Sequence, residues 1–123
     1  MNQSHFSKLE KMYLQANVNT MIFDTTTCKI SKGTSEVGLE ITEKYFHALG
    51  AIHGSVYFKL LDDACFFAVN SIVEDVFVLT TSFNINLIRP ANAGLLRAVG
   101  NVRLNQKNCS LQKPLCTMNQ EKR

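Results

Sequence analysis

His53-Gly54-Ser55-Val56-Tyr57-Phe58-Lys59-Leu60-Leu61-Asp62-Asp63-Ala64 is the stretch on which the reading of this 123-residue chain turns. A His-Gly pair opens a run that continues through Cys65, Phe67, Ala68 and Val69 to Asn70, apolar nearly all round at helical spacing. That pattern predicts a helix over about 55–70, buried on most sides. Its interior carries two carboxylates, Asp62 and Asp63, and carboxylates rarely enter such a helix without a partner or a task. Adjacent helical positions point about 100° apart, so at most one of the two can face a given site.

Upstream, Phe6, Leu9, Met12, Tyr13 and Ala16 recur at helical spacing as far as Asn17, with Ser4 or Ser7 able to cap the start. Residues 21–30 and 36–41 alternate β-branched or aromatic with polar residues across Lys32-Gly33-Thr34-Ser35, which reads as a hairpin. A loop over 42–52 leads to the central helix. Downstream, 76–88 and 95–104 are strand candidates on either side of the turn Arg89-Pro90-Ala91-Asn92-Ala93-Gly94. The order α-β-β-α-β-β describes an α+β fold in which an antiparallel sheet wraps one long helix.

Composition narrows the function. Hydrophobic residues at 46% and charged residues at 19% fit one folded domain with a small core. The net charge of +3 comes largely from Lys107, Lys113, Lys122 and Arg123, not from a basic stripe with aromatics, so nucleic-acid binding is not indicated. The first five residues lack the pattern of a signal peptide and no apolar run would span a bilayer, so a cytoplasmic protein without a membrane partner is expected. Cys28, Cys65, Cys109 and Cys116 show no ligand spacing and no disulfide framework, and no metal site is expected. Cys65 reads as a small buried apolar side chain.

Three segments, in order, resemble the PaaI-type hot-dog thioesterases: His47-Ala48-Leu49-Gly50-Ala51-Ile52-His53-Gly54-Ser55, then Leu60-Leu61-Asp62, then Thr80 to Pro90 followed by Gly94. The resemblance covers roughly residues 20–104. It implies a hot-dog fold and hydrolysis of acyl-CoA thioesters to free acid and CoA, with no cofactor. By the family pattern, a helical Asp nine residues past the His, Asp62 is the catalytic carboxylate, acting as general base or nucleophile. Desolvation in an apolar helix would raise its pKa toward a range useful for taking a proton. Gly54 would offer its N–H to the thioester oxygen at the positive end of the helix. Thr80 aligns with a hydroxyl that orients the water or the carboxylate, though a strand Thr is also simply a good β-former. On the substrate side the resemblance implies roles for His53, Ser55, Phe58, Phe83 and Arg89: His53 mainly shaping the turn, Phe58 and Phe83 with Phe66 lining an acyl pocket, and Arg89 meeting a CoA phosphate. The resemblance further implies a homodimer at least, or a homotetramer, because the family sets the Asp of one helix against the Gly turn of the other. Asp63 would then be a solvated or interface residue.

The chain departs from the family at three places. His47 stands where the pattern has an Asn that holds the water or the substrate carbonyl, and an imidazole there could still hydrogen-bond. Ser55 replaces a second Gly, a mild change at a helix start. Residues 106–123 show no strand periodicity, so the domain is read as 1–105 with an atypical tail and the last family strands missing. Back-translated and read two bases on, 108–123 can give Leu-Phe-Ile-Ala-Glu-Ala-Val-Val-Tyr-Asn-Glu-Pro-Gly-Lys, which alternates like a strand. On that reading the tail is a frameshift product and the strand at 95–104 is left as an open edge. Two other functions fit the same fold. A hot-dog hydratase would need a His soon after the Asp, and none follows. A catalytically weak acyl-CoA-binding or structural hot-dog protein stays open on His47 and the tail.

Overall fold

A computed structural model of the chain describes residues 3–74 and 92–102, and the backbone of 115–121. Its elements run α1 (Gln3–Gln15), α2 (Asn17–Met21), β1 (Thr26–Ser31), β2 (Thr34–Glu40), a 3-10 turn (Glu43–Tyr45), α3 (Gly54–Asn70), β3 (Leu95–Asn101) and β4 (Leu115–Glu121). Among the described residues the strands form one antiparallel sheet in the order β1-β2-β3-β4. α3 packs across β2 and β3, and α1 lies along β1. The expected α+β fold, a sheet wrapped on one long central helix, is what the chain adopts.

The hairpin is tighter than its sequence suggests. Lys32 and Gly33 alone make the turn, Gly33 with φ 73°, and Thr34 and Ser35 already pair with Ser31 and Ile30. A residue with φ > 0 at such a turn favours glycine. Ser71, at the end of α3, accepts the Gly33 N–H on its hydroxyl at 2.7 Å, so the hairpin tip is tied to the helix terminus.

β2 lies inside the sheet, with Val37 and Leu39 fully buried. They meet Val56, Leu60, Ala64 and Phe67 of α3, together with Leu96 and Ala98 of β3. Burying each of the larger side chains stabilises the fold by about 1.5–3 kcal/mol. Helix and sheet approach closely at Gly100, where a Cβ would lie 2.6 Å from the carbonyl carbon of Ala64 and 2.8 Å from the nitrogen of Cys65. Only glycine allows that approach.

Two sequence expectations need correction. Residues 21–25 are not strand: the backbone turns through α2, and β1 begins at Thr26. The apolar and β-branched residues there serve a different contact, since Phe23 stacks on Tyr45. Nor is the edge of β3 open over its length, because Leu115–Glu121 pairs along all of Leu95–Asn101. Backbone pairing does not require the alternation that the tail lacks. The strand expected at 76–88 lies outside the described residues. On the far side of the sheet, Glu10 of α1 accepts the Ile30 N–H at 2.7 Å, so a carboxylate occupies one of the outward-facing donors of β1.

Candidate active site

The His-Gly turn is built by backbone hydrogen bonds on both sides. Upstream, His47 N–H donates to the Ala51 carbonyl at 2.8 Å and Gly50 N–H to the His47 carbonyl at 3.1 Å, with Gly50 at φ 84°. A bridge between Phe46 and Ile52 closes this small loop. Buried Tyr45 then takes the His53 N–H on its carbonyl at 2.9 Å, which sets where α3 starts.

His53 caps the helix. Its Nδ1 accepts the Ser55 N–H at 3.1 Å and lies 2.8 Å from the Ser55 hydroxyl, while its carbonyl accepts the Val56 N–H at 2.9 Å. Of the first three donors of α3, these bonds occupy the second and third, and the Gly54 N–H is left for a ligand. The expected structural role of His53 and the expected place of Gly54 at the helix start agree with this geometry. Ser55 is exposed beside them.

His47 is half-buried, and its Nδ1 accepts the Leu49 N–H at 3.0 Å. A neutral ring with Nδ1 as acceptor carries its proton on Nε2, so the outward atom of His47 is a donor.

α3 is largely buried, as its composition suggested, with ten of its seventeen residues in the core. Its non-buried residues are Gly54, Ser55, Phe58, Lys59, Asp62, Asp63 and Phe66, and at about 100° per residue they fall on one half of the helix. Asp62 lies near the middle of this open half, flanked one turn away on each side by Phe58 and Phe66. Phe58 is 41% exposed, whereas Phe66 is partly covered by the core. Both are apolar residues on the less buried face of the helix.

The neighbouring carboxylate is engaged elsewhere. Asp63 accepts a hydrogen bond from the Tyr13 hydroxyl at 2.6 Å and forms an ion pair with Lys59 at 2.7 Å. The Lys59 ammonium also donates to Tyr13 Oη at 3.1 Å and to Asn19 Oδ1 at 2.8 Å, and lies over the rings of Phe23 and Tyr13 at 4.6 and 5.1 Å. Burial first, then the charge on Asp63, raises the Tyr13 pKa, so its hydroxyl stays a donor. Asp63 is therefore a structural residue rather than a simply solvated one. Tyr13, Asn19, Phe23 and Lys59 were not singled out from sequence. Only the four-residue spacing of Lys59 and Asp63 signalled any of this.

Thr80, Phe83 and Arg89 lie outside the described residues. Cys65 is buried as expected but is also disulfide-bonded, which the scattered cysteine spacing gave no means to foresee. Among the described residues, no group of three His, Cys, Asp or Glu side chains could hold a metal, and no helix is long and apolar enough to cross a membrane.

Residues 49–107 match the model of the thioesterase superfamily, a segment that holds the His-Gly turn and all of α3. Among solved structures, the Escherichia coli PaaI protein from the phenylacetic acid degradation operon superposes with a TM-score of 0.71 at 21% identity, over 93% of this chain and 88% of that one. A phenylacetic acid degradation-related protein from Ralstonia eutropha gives 0.68 at 21% identity, over 93% and 95%. A thioesterase from Haemophilus influenzae gives 0.69 at 16%, over 92% and 85%. A comparison with curated proteins gives no match. The fold is that of the hot-dog proteins. The chain shares that fold with the PaaI protein, and its residues 49–107 carry the sequence pattern of the thioesterase superfamily.

Proposed function

We propose that the chain hydrolyses acyl-CoA thioesters to a free acid and CoA, with Asp62 as the carboxylate that drives the reaction. The observation that carries this reading is the position of Asp62, on the less buried half of α3 with Phe58 and Phe66 one turn away on either side. The superfamily match supplies the reaction class, thioester hydrolysis.

The thioester carbonyl oxygen would rest at the Gly54 N–H, where the helix terminus favours the negative charge that develops on it. Asp62, as general base, takes a proton from water as the hydroxide oxygen bonds to the acyl carbon. The tetrahedral intermediate then collapses with cleavage of the C–S bond, and the CoA thiolate leaves. His47 Nε2–H is suited to hold the water or the carbonyl. Phe58 and Phe66 offer apolar surface to the acyl group.

Gly54 and Asp62 of one chain cannot serve one carbonyl. Eight residues of helix separate them by about 12 Å along the axis, whereas both must reach one reacting centre at about 3 Å. The Gly54 of one subunit and the Asp62 of another must therefore be brought together, which makes a homodimer the smallest active unit.

Co-expression of a Gly54→Val chain with an Asp62→Asn chain tests this arrangement. Each variant alone should be inactive. Random mixed dimers should recover about a quarter of wild-type CoA release, since half the dimers are mixed and each holds one intact site. No recovery in dimers shown to be mixed would place both groups in one chain or remove one of them from the mechanism.

A further inference from the structure

We infer that Phe23 is a positioning residue that couples the Gly54 turn to the helix segment bearing Asp62. This rests on the thioesterase reading for its catalytic consequence, but not for its structural one. The Phe23 ring stacks on Tyr45 with centroids 5.3 Å apart and planes 14° from parallel. Its face also receives the Lys59 ammonium at 4.6 Å. One aromatic side chain thus touches both halves of the candidate site's support.

Each contact leads on by a single step. Tyr45 is buried, and its carbonyl holds the His53 N–H, the bond that sets where α3 begins. Lys59 lies on α3 between Gly54 and Asp62, and is paired with Asp63 beside Asp62. The segment that carries Phe23 is itself fastened at both ends. Asn19, the buried residue of α2, donates to the Tyr13 carbonyl at 2.8 Å and accepts from Lys59. Asp24 pairs with Lys44 of the 3-10 turn, and Thr25 donates its hydroxyl to the Glu40 carbonyl at 2.7 Å.

The physics of the ring suits this role. A stacked aromatic pair contributes orientation beyond its buried area. A cation over the same ring is attracted to its electron-rich face, and Lys59 is largely shielded from water here, its side chain 15% exposed. An aliphatic side chain of similar volume would fill the space but supply neither attraction. Phe23 therefore fixes the plane of Tyr45 and the place of Lys59 together, and through them the relation of the turn to the helix.

The test uses Phe23→Leu, Phe23→Tyr and Lys59→Met in the full chain, read first by hydrogen–deuterium exchange and then by CoA release. In Phe23→Leu, exchange at 53–56 should rise severalfold, kcat should fall about tenfold with KM little changed, and Phe23→Tyr should restore both. Lys59→Met should raise exchange in the same segment with the Tyr45 stack still in place, which keeps the test decisive if Phe23→Leu does not fold. A folded Phe23→Leu or Lys59→Met with wild-type exchange at 53–56 would overturn the inference. If the wild type releases no CoA, the thioesterase reading fails, and exchange alone still decides the role of Phe23.

Discussion

Tyr13 and Asp63, fifty positions apart in sequence, are joined by a hydrogen bond of 2.6 Å that fastens α1 to α3. Because Lys59 bonds to both, the three side chains form a closed triangle of donors and acceptors. It ties Asp63 into the packing of α1 against α3, while the adjacent Asp62 lies on the less buried half of the helix.

Tyr13→Phe removes only the hydroxyl and should lower stability by about 1.5–3 kcal/mol, the scale of a hydrogen bond to a charged group. Asp63→Asn should cost a similar amount. The double variant should cost clearly less than the sum, because both changes break one interaction. Urea unfolding of the four proteins measures this, and strict additivity would show that the bond contributes nothing.

Stability should fall in alkaline solution for a reason visible at Cys28. Burial first, then the negative charges of Glu10 and Asp63, push its thiol pKa well above the ordinary thiol range, up to about 12. The folded chain therefore keeps a proton that the unfolded chain gives up, and stability declines as pH rises from about 9 toward 12. The slope from one such group is on the order of 1 kcal/mol per pH unit. Tyr13, whose pKa is also raised, adds to the decline at higher pH. Urea midpoints for wild type and Cys28→Ala between pH 7 and about 11 should diverge in slope, the variant being flatter. Parallel curves would refute the assignment.

Gly100→Ala should be among the most damaging small substitutions, costing about 3 kcal/mol or more. The added methyl would meet the Ala64 carbonyl group and Cys65 nitrogen, and backbone cannot swing aside as a flexible side chain can. Gly33→Ala tests the other use of glycine: the space is open, but φ 73° strains an L-residue, so a loss of only about 1 kcal/mol is expected. Thermal or chemical unfolding should reproduce that order, and the reverse order would contradict the close approach of β3 to α3.

The architecture was legible because its strongest signals are local. The helix after His53-Gly54, the hairpin around Gly33 and the strand at Leu95 each announce themselves by period or turn chemistry. Asp62, Gly54 and His53 were singled out by the spacing of a family motif, and of these the structure shows His53 capping α3, Gly54 at its start and Asp62 within it. The support of the site was not legible, because its bonds are long-range: Tyr13 with Asp63, Asn19 with Lys59, Phe23 with Tyr45. The pairing of Leu115–Glu121 escaped for another reason, since a strand can be held by its neighbour's backbone without an alternating pattern of its own.

CoA release from a panel of aryl- and fatty-acyl-CoA thioesters, compared among wild type, Asp62→Asn and Asp63→Asn, tests the central claim most directly. Turnover should fall at least about a hundredfold in Asp62→Asn, the scale of a lost general base, and stay within about tenfold of wild type in folded Asp63→Asn. Turnover that survives in Asp62→Asn, or is lost in a folded Asp63→Asn instead, would contradict the account.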